Sequence, residues 1–223
     1  MSDRVRLDMH THTTYSKDSR ASLESFAAGV RRARLGVVCV TDHDTIEGAQ
    51  RLREMADGFD VVVGEEISSA DGDLIGLFLE RAVPSGLSAE DTIARIREQG
   101  GVVSVPHPFS RNRRGRIRRD ALHRVARLVD CVEVFNAREL LRSDNARAAG
   151  FAVTHGIRGA VGSDAHRPWE LGRTYLEVTP FRMDREGFLA ALDDAEVKGE
   201  LAGVIAHAIT RYDVLRKWLA RIR

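Results

Sequence analysis

Short apolar, β-branched runs alternate along this chain with longer stretches whose apolar positions recur every three or four residues. The runs at 5–9, 37–41, 61–67, 74–79, 102–105, 131–135 and 159–162 predict strands. Most are apolar at successive positions, the pattern of parallel strands covered on both faces. A last stretch, 175–178, reads as an eighth strand or an edge piece. Between the runs lie helices. Ser22 or Ser25 caps one running to about Arg34, with Gly36 as its stop. Thr45 caps 46–56. Ser88, with Asp91 three residues on, opens a helix that ends at Gly100 and Gly101. Further helices are expected over 118–128, 143–155 and 184–195. Strand–helix alternation over nearly the whole length predicts one α/β domain spanning 1–223. Seven or so units favour a closed or nearly closed barrel over an open sheet.

Two segments break the pattern. Residues 110–119 read SRNRRGRIRR. Residues 201–223 place Val204, Ile205, Ile209, Val214, Leu215, Trp218, Leu219 and Ile222 among basic residues. That stripe predicts an amphipathic C-terminal helix packed on the barrel or on a second copy in a homodimer.

Composition narrows the class. A chain of 223 residues with 43% apolar content buries a core without disulfides or metal staples. No apolar run approaches the roughly 20 residues of a spanning helix. The opening MSDRVRLDMH has no apolar signal-peptide core. Cys39 and Cys131 both sit inside apolar runs, so buried thiols in a reducing cytoplasm are expected. Basic and acidic residues balance at 34 and 33, which argues against a general nucleic-acid or membrane binder. Of the basic residues only Lys17, Lys198 and Lys217 are lysines, and arginine is the bidentate phosphate ligand.

The chemistry collects at the predicted strand ends, where α/β barrels hold their active sites. The first strand ends in Asp8-Met9-His10-Thr11-His12. Residues two apart on a strand share a face, so His10 and His12 either grip one cation or form a pair of core histidines. The second ends in Thr41-Asp42-His43-Asp44, the third in Gly64-Glu65-Glu66, the fifth in His107-Pro108 and the seventh in Ser163-Asp164-Ala165-His166. Imidazoles and carboxylates recurring at one end of the barrel repel or desolvate one another unless a cation joins them.

These five ordered motifs resemble the polymerase and histidinol phosphatase (PHP) family over residues 7–166. The resemblance implies a distorted (β/α)7 TIM-like barrel carrying two or three divalent ions (Zn, Mn or Fe). It implies that His10, His12 and Asp164 hold the first ion and that Glu66 bridges the first and second. His107 would hold the second ion. His43, His166 and Asp18 would hold the third, unless Asp18 is a solvated loop residue. Asp73 stands where the family often has a histidine ligand, so it either ligates a harder metal or leaves that site weak or empty. Arg138, in a segment like the family's Glu-x-x-Asn-x-Arg, is expected as a phosphate clamp or a surface ion pair. With Asp164 and His166 it completes the expected catalytic set. Asp44 and Arg173 are rim candidates, and His123, His155 and His207 fall away from strand ends.

The implied activity is hydrolysis of a small phosphorylated metabolite or nucleotide by a metal-bridging hydroxide. The arginine segment after His107 suits a polyanionic substrate or is a solvated, mobile loop. An aromatic content of 6% argues against an extended stacking groove, so a nucleic-acid partner beyond a nucleotide or short oligonucleotide end is not expected. A non-catalytic metal-binding module and a metal-dependent amidohydrolase are the other readings.

Overall fold

A computed structural model of the chain describes residues 4–202. The expected tail helix therefore lies outside the described residues, apart from Leu201 and Ala202, which form no regular element. Six helices and nine strands alternate in the described residues. The strands are β1 (Val5–Thr11), β2 (Val37–Val40), β3 (Asp60–Ser69), β4 (Gly72–Leu77), β5 (Val102–Val105), β6 (Cys131–Asn136), β7 (Arg158–Gly162), β8 (Thr174–Val178) and β9 (Glu196–Gly199). The helices are α1 (Leu23–Ala33), α2 (Glu47–Met55), α3 (Ala89–Arg97), α4 (Arg119–Val125), α5 (Arg142–His155) and α6 (Arg185–Leu192).

Local chemistry fixes the helix starts. The side chains of Ser22, Ser88 and Asp184 accept the backbone N–H of Ser25, Asp91 and Gly187, opening α1, α3 and α6. The left-handed residue that closes α1 is Arg34 rather than Gly36. No helix among the described residues is long and apolar enough to cross a membrane.

One sheet runs in the order β7-β6-β5-β4-β3-β2-β1-β8-β9 and curls into a nearly closed barrel. The parallel pattern expected of most strands holds within β1–β2–β3 and β5–β6–β7 but not between them. β3 and β4 form an antiparallel hairpin, and β4 is also antiparallel to β5. An apolar run buried on both faces looks the same whichever way it points, so its sequence carries no direction. The polar strand β9, reading EVKG and exposed throughout, gave no apolar signal at all.

β1 is shared between two neighbours. Its first half, Val5–Leu7, pairs antiparallel with β8. Its far end meets the segment after β7, where Asp164 N donates to His10 O at 2.8 Å and His12 N to Ala165 O at 2.9 Å. Asp8 reinforces this seam by accepting Ser163 N–H at 3.0 Å. The barrel is thus splayed at one end and closed at the end that carries the motifs.

Apolar residues pack in two groups. One lies between sheet and helices, with Phe26, Val30, Val38, Val40, Leu52 and Ile96. The other draws Leu7, Cys39, Val62, Ile75, Val102 and Cys131 from strands around the ring and adds Phe188 of α6, so it fills the interior. Both cysteines are free and buried.

The arginine segment is fastened rather than loose. Asp73 N donates to Gly115 O at 2.6 Å, and Arg118 N to Asp71 O at 2.8 Å. Gly72 sits at φ +123°, and a Cβ there would lie 2.3 Å from Ile117 Cα. Only glycine fits this close approach. Gly72→Ala is therefore expected to cost about 1–3 kcal/mol, read as a lower midpoint in urea unfolding followed by circular dichroism.

Candidate metal centre

Two strand irregularities aim the central side chains. The β1–β2 register shifts between Asp8 and Thr11. After this bulge His10 and His12 point into the barrel, on the same side as Leu7 before it. A second shift in β6, between Glu133 and Phe135, turns both Glu133 and Asn136 inward although they are three residues apart.

Among the described residues, three groups of side chains bring ligand atoms within 4.8 Å of one another. They are His12, Asp18, His43 and His166; His10, Glu66 and His107; and His10, His12 and Asp164. His10 Nε2 lies 3.0 Å from His12 Nε2 and 3.2 Å from Glu66 Oε2. His12 Nε2 lies 3.4 Å from Asp164 Oδ1. Glu66 spans the groups, with Oε1 at 3.0 Å from His107 Nε2 and Oε2 at 3.4 Å from His43 Nδ1. Asp18 Oδ2 stands 3.4 Å from His43 Nε2 and 3.1 Å from His166 Nε2. Eight of the nine expected ligands thus converge.

Asp73, the ninth, is in none of these groups. Its backbone is bonded to Gly115 and its carboxylate packs against that glycine, where a Cβ would lie 1.7 Å from Oδ2. It lines the mouth instead.

This donor set fits cations. Two imidazole nitrogens face each other at hydrogen-bond distance, and Asp164 Oδ1 is buried without a hydrogen-bond partner. Both arrangements are costly unless a positive ion takes the lone pairs. Outer groups set the rings. Glu133 Oε1 lies 3.1 Å from His10 Nδ1, leaving Nε2 to face the centre. His166 Nδ1 lies 2.8 Å from Asp164 O. Asp42 receives the N–H and the hydroxyl of Thr13, each at 2.6 Å, anchoring the loop that carries Asp18. His107 and Asp164 hold left-handed backbone at φ 31° and 52°, strain of the kind concentrated at functional sites.

The charges respond to this crowding. Burial pushes His12 toward the neutral ring, but hydrogen bonds to Asp164 and Glu66 outweigh it and lift its pKa to about 9. Burial likewise opposes charge on Glu66 and Asp164. Neighbouring histidines prevail at Glu66, and Arg113 with His10 prevails at Asp164, so both carboxyls stay well below their usual range. Burial raises the Asp73 carboxyl to about 7, helped by the charge of Glu66.

A cavity of about 670 Å³ opens onto the cluster, lined by His43, Glu66 and His107 on one side and by Lys17, Arg113, Arg114 and Arg116 on the other. Arg138 does not line it. That side chain is buried, with Nη1 3.4 Å from Glu170 Oε1. Arg113 does line it, and its guanidinium contacts Asp164 Oδ2. Sequence reading left Arg113 undistinguished within the arginine segment 110–119, and it missed Glu133 and Asn136 as groups that orient the ligands. Asp44 accepts Ser68 N–H at 2.8 Å beside the mouth. Arg173 N donates to Glu170 O just before β8. His123 and His155 pack on Phe151 away from the site, and His207 lies outside the described residues.

Fold and site together define a barrel whose closed end gathers histidines and carboxylates into groups able to hold metal ions. Comparison with known proteins then identifies the family. The family model described as PHP domain matches residues 8–130, and that described as PHP-associated matches 142–197. The chain belongs to the PHP family, whose members depend on metal. The uncharacterized protein MJ0417 of Methanocaldococcus jannaschii is 30% identical over 187 residues, covering 81% of this chain and 73% of that protein. The structure of PsfC from Pseudomonas syringae superposes with a TM-score of 0.67 at 19% identity, over 99% of this chain and 100% of that one. A two-domain protein from Bacteroides vulgatus, described as containing a predicted PHP-like metal-dependent phosphoesterase, gives a TM-score of 0.70 at 16% identity. It covers 88% of this chain and 65% of its own.

Metal binding should follow the His12 proton. A metal takes only the neutral ring, so apparent affinity for Zn or Mn rises with pH up to about 9 and then levels. The sign for the metal-free protein is opposite. A histidine raised on folding contributes stability that is complete below about 6.5 and is lost as pH rises through about 9. Competition titration with a chromophoric chelator and urea melts, each across pH 6–10, test the two halves.

Proposed function

We propose that this chain is a metal-dependent phosphoesterase acting on a small phosphorylated metabolite or nucleotide. The observation that carries the reading is the junction of the three ligand groups with a cavity walled by Lys17, Arg113, Arg114 and Arg116. His10, His12 and Asp164 are assigned to one ion, Glu66 and His107 to a neighbour shared through Glu66, and Asp18, His43 and His166 to a third. Zn, Mn and Fe all suit a mixed imidazole–carboxylate donor set. Divalent ions held there would activate water at neutral pH and neutralise charge on a phosphoryl group.

The chain's own residues do the rest. Glu133 holds the His10 ring in one tautomer. Asn136 Nδ2 donates to both Glu133 Oε2 and Asp164 Oδ2, at 3.0 and 3.1 Å, tying the outer groups to a ligand. The cationic wall favours a dianionic phosphate over a neutral amide, which supports a phosphoesterase ahead of an amidohydrolase. The cavity volume suits a metabolite or nucleotide rather than a polymer. The substrate is expected to be handled in the cytoplasm by a protein acting alone or as a homodimer.

A panel of phosphomonoesters and phosphodiesters, including p-nitrophenyl phosphate, run with added Mn, Zn or Fe(II), tests the reading. Turnover is expected with at least one metal and is abolished by chelation. His10→Ala and Asp164→Ala should lower the rate by about 100-fold or more and also lose bound metal, measured as atoms per chain, while the fold is retained. Turnover indifferent to chelator and to both substitutions would refute it.

A further inference from the structure

We propose that Arg113 is the phosphate-gripping residue of this site, its guanidinium passing from buried carboxylates to the phosphoryl oxygens of the substrate. The inference rests on the phosphoesterase reading and assigns its principal anion contact.

Arg113 reaches the cluster from the loop after His107 and is about one-fifth exposed, toward the cavity. Its Nη2 contacts Asp164 Oδ2 and lies 3.3 Å from Asn136 Oδ1. Its Nε is 3.5 Å from Glu139 Oε1 and has no hydrogen-bond partner among the described residues. One face of a planar five-donor fork is thus occupied by a metal-ligand carboxylate, while the rest is underused. Two other arginines of the lining are committed elsewhere. Arg116 Nη1 donates to Ser110 O at 3.1 Å, and Arg118 pairs with Asp71.

Charge decides what happens on loading. Asp18, Glu66 and Asp164 supply three negative charges to the ligand set, and the three divalent ions assigned to it would bring six positive ones. The centre then becomes cationic, and the attraction that holds Arg113 to Asp164 weakens. A guanidinium left beside a cationic centre is stabilised by an anion that bridges the two, and a phosphate dianion matches its fork bidentately. The backbone need not move. Gly115 and Arg118 are bonded to Asp73 and Asp71, so the loop is fixed and only side-chain torsions change.

The test uses full-length protein with its metal content measured. Inorganic phosphate binding is read by calorimetry for wild type, Arg113→Ala, Arg113→Lys and Arg114→Ala. Arg113→Ala should bind phosphate about 10- to 100-fold more weakly with unchanged metal per chain. Arg113→Lys should recover part of the loss, since lysine supplies the charge without the fork. Arg114→Ala removes one charge of the same wall and should weaken phosphate binding less than Arg113→Ala does. Arg113→Ala or Arg113→Lys binding phosphate like wild type would overturn the proposal. So would loss of metal from both, with normal phosphate binding by the fraction still loaded, because Arg113 would then only position Asp164. If wild type hydrolyses phosphoesters while the Arg113 variants are unaffected, this inference alone falls. If fully loaded wild type neither hydrolyses phosphoesters nor binds phosphate, the phosphoesterase reading falls with it.

Discussion

The structure is organised around an electrostatic conflict. Five imidazoles and three carboxylates, most of them buried, are brought together at the floor of one cavity. Their lone pairs point at one another, and each uncompensated buried charge costs several kcal/mol. Protons on His10 and His12 relieve part of this in the metal-free protein, as the upward shift of both rings shows. Cations relieve it more completely, because one ion satisfies three or four donors at once. The conflict is therefore what suits the pocket to a metal ion. The same atoms arranged without it, each with its own hydrogen-bond partner, would be an ordinary polar core.

That constraint accounts for features of the barrel that packing alone does not require. A bulge in β1 turns His10 and His12 inward, and an irregularity in β6 does the same for Glu133 and Asn136. Two ligands, His107 and Asp164, sit in left-handed backbone that a regular strand end would not need. β1 leaves β8 halfway along and bonds to the segment after β7. This second bonding brings Asp164 beside His12, so closing the barrel and completing one ligand group are the same event.

The ligands were legible in the sequence because histidine and acidic residues are rare enough at strand ends to stand out in order. Period-two reasoning put His10 and His12 on one face, and they do share it. What it could not give was the bulge that chooses which face. Glu133 and Asn136, three apart, fall on opposite faces of a regular strand, so their joint role was hidden by the same kind of irregularity. Arg113 was hidden differently. In SRNRRGRIRR every arginine looks alike, and only the folded loop shows that Arg113 is the one that reaches Asp164. The direction of β4 and the existence of β9 were illegible for a simpler reason: one was apolar either way, and the other has no apolar pattern.

The position where this chain departs from its family's common histidine can now be placed in that frame. Asp73 is not among the clustered ligands, yet it is not idle. Its N–H donates to the carbonyl of Gly115, and its carboxylate lies against that glycine, where a Cβ would clash. A histidine there would need a larger space on the side where the loop now docks. With aspartate there, the loop docks on the β3–β4 hairpin through Gly115 and Arg118, and the same loop carries Arg113 to Asp164.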